Sequence, residues 1–238
     1  MESNVGIPSG TQHPPFFAMT NTLPPDADPR QVVADGYDAI GPIYLEQARK
    51  DLGGLRARYI RYLTEGFPGC SEVLDLGCGA GDPGTKMLSV YFHATGVDIS
   101  PGQIELARKN VPDADFVVAD IADVEFPDGR FDAVTAFYSI IHLPRELQPG
   151  LLEKIARWLG PGGRFIGTFH SGASEADYDP DWLGAPMFWS GFDPADNRSM
   201  VEAAGLRIIS ARNEKIQFDV DGSPTTFQWI VAEKVKHV

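Results

Sequence analysis

The chain has 238 residues, 43% of them hydrophobic, which suits one soluble α/β domain with a full core and a short extension. Its net charge of −13, with basic residues scattered along the chain, argues against a nucleic-acid substrate. No apolar run is long enough for a bilayer and the N-terminus lacks a basic region followed by a hydrophobic run. Cys70 and Cys78 offer neither a disulfide framework nor metal-ligand spacing, so the expected setting is the cytoplasm.

Residues 1–30 carry prolines at 8, 14, 15, 24, 25 and 29 with little periodicity, which reads as a mobile arm. Val32 to Leu63 reads as helical, with breaks at Gly41-Pro42 and Gly53-Gly54. Val73 to Leu76 is the end of a buried strand. It runs into Gly77-Cys78-Gly79-Ala80-Gly81, and Asp82-Pro83 then reads as a capped helix start. His93 to Ile99 is a strand, and Ser100-Pro101-Gly102-Gln103 is a capping box opening a helix to about Asn110. Ala114–Ile121 and the nearly all-apolar Phe131–Ile140 are further strands, the second covered on both faces. A helix over Leu151–Leu159 stops at Gly160-Pro161-Gly162-Gly163, and Arg164–Phe169 is the next strand.

Ser171–Asp193 shows no periodicity and is rich in aromatics, which marks an insertion or a functional loop. Its alternating Glu175, Asp177, Asp179 and Asp181 lack the glycine and distal glutamate of a calcium loop and read as a solvated acidic face; no metal is expected. A helix near Ala195–Ala204 follows. Strands at Leu206–Gln217 and Thr226–Val235 flank Asp221-Gly222-Ser223-Pro224 as a hairpin. Strands alternating with helices imply a Rossmann-like, doubly wound, mostly parallel sheet, here of seven strands with a C-terminal antiparallel hairpin.

The strand, glycine turn and helix at 73–84 form a nucleotide-type site. The dinucleotide fingerprint wants glycine at its sixth position, where this chain has Asp82. Asp75 and Asp82 would repel a pyrophosphate and suit a ligand with a cationic end, such as S-adenosyl-L-methionine.

The run Asp75-x-Gly77-x-Gly79-x-Gly81 resembles the first motif of class I S-adenosylmethionine-dependent methyltransferases. Asp98, 17 residues after Gly81 at a strand end, is placed to accept ribose hydroxyls. Asp120 in Val118-Ala119-Asp120-Ile121, the Phe137–Pro144 stretch and the glycines at 160–163 follow in the family's order, so the likeness spans Val73 to about Phe169. It is nearest the small-molecule branch of quinone and sterol methyltransferases. The resemblance implies a cofactor site of Asp75, Gly77, Cys78, Gly79, Gly81, Asp98, Ile99, Asp120, Ile121, Phe137 and Tyr44. In it, Asp120 takes the adenine amino group, with Asp123 a nearby competitor.

The helices over 31–64 cap the pocket in that family, which makes Tyr37 and Tyr44 lid residues unless they simply pack. Tyr37, Tyr138, Tyr178, Trp182 and Trp189 are the acceptor-side candidates, the segment 172–193 closing that side or merely pinning itself to the sheet. His142 and His170, read as ending the fourth and fifth strands, are either a general base or hydrogen-bonded scaffold. The implied activity is in-line methyl transfer to a small molecule. A Rossmann oxidoreductase and a cofactor-binding protein without transferase activity are the rivals. The acceptor atom and oligomeric state stay open.

Overall fold

The computed structural model describes residues 21–50, 54–67, 71–217 and 224–235. Two helices, α1 (Pro29–Arg49) and α2 (Leu55–Thr64), precede an alternation of strand and helix. It runs β1 (Glu72–Leu76), α3 (Gly84–Ser89), β2 (His93–Asp98), α4 (Pro101–Asn110), β3 (Asp115–Val118), β4 (Phe131–Ala136), α5 (Gln148–Trp158) and β5 (Leu159–His170). Two strands, β6 (Ser174–Trp182) and β7 (Ala185–Gly191), stand apart from the main sheet. Then come α6 (Pro194–Ala203), β8 (Leu206–Gln217) and β9 (Pro224–Lys234).

The main sheet has seven strands in the order β3-β2-β1-β4-β5-β9-β8, with only β9 antiparallel to its neighbours. This is the architecture the alternation predicted. The strand order reverses between β1 and β4, so the crevice lies beyond the C-terminal ends of those two strands. Successive strand residues feed opposite cores, as period-two geometry requires. Val73, Ala133, Trp229 and Val231 enter one cluster, whereas Leu74, Leu76, Val134 and Ile230 enter the other.

Several boundaries differ from the sequence reading. α1 is unbroken at Gly41-Pro42, and Pro42 sits exposed inside it. Packing overrides the local penalty there: Gly41 lies against Gln103 and Leu106 of α4, and α1 also rests on β7. Asp82-Pro83 does not cap α3; the helix starts at Gly84, and Asp82 instead pairs with Arg49 and Lys86, each at 3.1 Å. At α4, Ser100 does cap the N–H of Gln103, but Gln103 does not reach back, because Asp98 takes the Ser100 N–H. β3 and β4 end earlier than expected, at Val118 and Ala136. His142 therefore lies in a 3-10 turn (Ile140–His142) beyond the strand.

The largest correction concerns residues 172–193, which form the β6–β7 hairpin. Its two-residue turn, Leu183-Gly184, has φ of 54° and 95°, so both residues are left-handed. Leucine seldom adopts that conformation, and the turn carried no recognisable signal. Nor are its acids a solvated face: Asp177 and Asp179 are buried, while Glu175 and Asp181 are exposed. Of the arm read as mobile, residues 21–30 are described: Asn21 bridges to Tyr178, and α1 starts at Pro29. Residues 1–20, Gly53, Cys70 and the turn at 221–223 lie outside the described residues.

Two glycine-to-alanine changes test this packing in opposite directions. A Cβ on Gly36 would lie 2.5 Å from the backbone oxygen of Pro186, forcing α1 and β7 apart. Gly36→Ala should cost about 1–3 kcal/mol and lower the melting temperature by about 2–4 °C per kcal/mol. Gly150, in α5, has nothing within 4 Å of its added Cβ. Gly150→Ala should leave the melting temperature unchanged or raise it, by up to about 1 kcal/mol of stability. Equal losses in a calorimetric scan would refute the account of the α1–β7 contact.

Candidate active site

The glycine turn is shaped by two close approaches. Gly77 has φ of +69°, and a Cβ there would lie 2.2 Å from the Ser139 Cβ, so only glycine fits. The Gly77 and Cys78 N–H groups both donate to the Val97 oxygen, at 2.8 and 2.9 Å, tying the turn to the end of β2. Ser139, just past β4, donates to the Leu76 oxygen at 2.7 Å. The turn is thus gripped by both strands that flank β1.

Asp98 completes that grip. One of its oxygens accepts the Gly79 N–H at 2.8 Å, and the other accepts the Ser100 N–H at 3.0 Å. Burial pushes its carboxyl up to about 6 despite those two donors. Asp75 is deeper still: its oxygens accept from Thr85 and Thr135, both at 2.7 Å, and burial raises its pKa against those bonds. Asp75 therefore holds β1, β4 and α3 together besides lining the cleft. Asp82, read as a source of negative field, is neutralised by Arg49 and Lys86. The uncancelled acidity beside the turn belongs to Asp75 and Asp98.

Three cavities that share lining residues open from this crevice. Tyr44 lines all three. The first is walled by Gly77, Gly79, Asp98, Ile99, Asp120, Ile121 and Phe137, an uninterrupted path along the ends of β1 to β4. The structure separates Asp120 from Asp123: Asp120 is half-buried on this wall, and Asp123 is exposed. Arg30 bonds both, at 3.1 and 2.9 Å, and latches the start of α1 over the cleft. The third cavity adds Asp75 and Cys78, whose thiol pKa is pushed well up by burial and then by Asp98 and Asp75.

The second cavity is an aromatic chamber lined by Tyr37, Tyr138, Trp182, Trp189 and Phe227, with Arg56 as a charged group. Tyr37 lies 6.1 Å from Trp182, and Trp182 lies 5.4 Å from Trp189, ring centre to ring centre. The Arg56 guanidinium stands 4.8 Å over the Tyr138 ring. Tyr138 has φ of 60°, a left-handed backbone at the exit of β4 that turns its ring into this space. Tyr37, Tyr44, Tyr138 and His142 belong to both the first and second cavities and form the junction between them.

His142 is wired at both nitrogens. Its Nδ1 lies 2.8 Å from the Phe188 carbonyl oxygen, and its Nε2 lies 2.9 Å from the Tyr37 hydroxyl. A carbonyl only accepts, so Nδ1 carries the proton, and Nε2 accepts from Tyr37. Burial lowers the His142 pKa to about 4, with the Phe188 bond opposing.

Three expected site residues line none of these cavities: His170, Gly81 and Tyr178. His170 is buried beneath Gly191, whose added Cβ would meet the His170 Cβ at 2.5 Å. Gly81 packs on Ala107 and Val111 of α4. Tyr178 faces Asn21 on the outer strand of the hairpin. Conversely, Arg30 and Arg56 were not foreseen, because nothing in their sequence neighbourhoods distinguishes them from ordinary helix residues, and Ser139 was covered only as part of the Phe137–Pro144 stretch.

The wiring predicts that His142 is the neutral Nδ1–H tautomer throughout pH 5.5–8, which nitrogen-15 imidazole spectra can read. Its folded pKa is depressed, so protons enter the unfolded chain first, and this group's stability contribution is lost as pH falls from about 6.5 to 4. An Nε2–H tautomer or an imidazolium at pH 7 would overturn the assignment.

Residues 73–163 match a family model described as a methyltransferase domain. A 27-O-demethylrifamycin SV methyltransferase from Amycolatopsis mediterranei is 35% identical over 118 residues, 46% of this chain and 43% of that one. A 2-methyl-6-phytyl-1,4-hydroquinone methyltransferase from Synechocystis is 27% identical over 169 residues, 69% of this chain and 51% of that one. The chain thus spans about half the length of these curated relatives. Among solved structures, magnesium protoporphyrin IX methyltransferase from Synechocystis with bound S-adenosylmethionine superposes with a TM-score of 0.66 at 17% identity, over 89% of this chain and 100% of that one. Residues 73–163 thus resemble a methyltransferase domain, and the fold around them is shared with magnesium protoporphyrin IX methyltransferase.

Proposed function

We propose that the chain transfers a methyl group from S-adenosylmethionine to a small molecule. The observation that carries this is the placement of Asp98: a buried carboxylate beside the Gly77–Gly79 turn, on the wall of a cleft that opens into an aromatic chamber. The donor set fits the cofactor. Asp98 would take the ribose hydroxyls, Asp120 the adenine amino group, and Ile99, Ile121 and Phe137 the flat apolar faces. Among the described residues, the basic group on that wall is Arg30, already paired with two carboxylates, which disfavours a pyrophosphate.

When bound, S-adenosylmethionine supplies a methyl group on a positively charged sulfur. The chain's own contribution is positioning and exclusion of water. α1 and α2 act as the lid, with Arg30–Asp120, Arg49–Asp82 and the Asp38 contacts to Ser100 and Gly102 holding α1 down. The β6–β7 hairpin closes the acceptor side through Trp182 and Trp189. An apolar wall disfavours a concentrated charge more than the dispersed charge of the transition state. The acidic net charge of −13 supports a small-molecule acceptor over nucleic acid, and no helix among the described residues is long and apolar enough to cross a membrane. A cytoplasmic setting accords with both.

Two experiments test the reading. Ribose hydroxyls donate and require ionised Asp98, whose folded pKa is about 6. The affinity for S-adenosylhomocysteine should therefore be flat above pH 7 and weaken toward tenfold per unit below about pH 6. Asp98→Asn should flatten that profile and weaken binding by at least about tenfold. Because Asp98 also holds the turn to α4, Asp98→Ala should lower the melting temperature as well. Methyl-labelled cofactor incubated with protein and a metabolite extract should yield a labelled small product. Binding without any transfer would leave a cofactor-binding protein and refute the enzymatic reading.

A further inference from the structure

The hydrogen-bond chain at the junction has a direction, and the direction limits what can sit against it. Its fixed end is the Phe188 carbonyl oxygen on β7, which accepts the Nδ1 proton of His142 at 2.8 Å. Nε2 of the neutral ring then has only a lone pair, so the Tyr37 hydroxyl at 2.9 Å must donate to it. Tyr37 has one hydroxyl proton and has spent it. Both protons of this chain point toward Phe188. Ser139, on the same wall, likewise turns its proton inward, to the Leu76 oxygen. What Tyr37 presents to the chamber is an oxygen lone pair.

We infer that the methyl acceptor offers a hydrogen-bond donor, a hydroxyl or N–H group, to the oxygen of Tyr37. The inference rests on the methyltransferase reading above and narrows its substrate to molecules that carry such a group at the junction. A ketone, an ether or a bare alkene carbon placed there supplies no proton and leaves the lone pair of Tyr37 without a partner. Burial keeps the imidazole neutral, which preserves the chain's direction at neutral pH. The same arrangement separates substrate from product, since a methylated oxygen no longer donates. Arg56 and Gln47 lie on the wall of the same chamber.

Three probes of nearly equal shape test this on the protein saturated with S-adenosylhomocysteine: 2-naphthol, 2-methoxynaphthalene and 2-acetonaphthone. Calorimetry should show the naphthol binding at least about tenfold more tightly than the ether or the ketone. Tyr37→Phe removes the acceptor oxygen. In that variant the naphthol-to-ketone ratio should fall to about one. Equal affinities in the wild type, no binding of any probe, or a ratio unchanged in folded Tyr37→Phe would overturn the inference. If S-adenosylhomocysteine itself does not bind, the methyltransferase reading fails first and the inference falls with it.

Discussion

A single buried carboxylate, that of Asp98, sets the geometry on which the site depends. It ends β2 and accepts one N–H from the glycine turn after β1 and another from the first turn of α4. Those two segments leave neighbouring strands in the same direction, and without a shared anion their donors would face each other across the crevice. Burial costs the carboxylate part of its acidity, leaving it near 6. The protein thus keeps at the switch point an acceptor that is poorly solvated and strongly disposed to take further donors. Both ends of the cofactor cleft are measured from it. The glycine turn lies on one side, and the Ile99-to-Ile121 wall lies on the other.

The second constraint is polar and directional. The inserted hairpin does more than cover the chamber with indole rings, because it supplies the Phe188 carbonyl that orders His142 and Tyr37. α1, a helix of 21 residues, carries both tyrosines and lies against β7. Moving β7 relative to α1 would break the wiring at His142.

Much of the fold and most of the residues that wall the cleft were legible from sequence, for physical reasons. Glycines at alternate positions, an acid at the end of the next strand and proline-opened helices encode backbone geometry locally. Gly77, Asp98 and Ser100 express their roles through neighbours a few residues away or at a fixed strand end. The acceptor half was less legible because its contacts are long-range. His142 meets Tyr37 across 105 residues. The hairpin hides behind a Leu-Gly turn, and alternating acids there turned out to be half buried rather than solvated. Pro42 would end most helices, yet tertiary packing carries α1 through it. His170 and His142, both read from sequence as strand-end residues and as base or scaffold, part in the structure: His142 lies past its strand on the cavity walls, and His170 ends β5 packed under Gly191.

The central claim is that the cleft beside Asp98 holds S-adenosylmethionine and delivers its sulfur end to the tyrosine–histidine junction. A crystal structure of the protein with S-adenosylhomocysteine tests it most directly. The account predicts ribose hydroxyls on the Asp98 carboxylate, adenine between Ile99 and Ile121 with its amino group toward Asp120, and the sulfur facing Tyr37 and Tyr44. A ligand seated elsewhere, or one with its ribose away from Asp98 and its sulfur turned from the aromatic chamber, would contradict it.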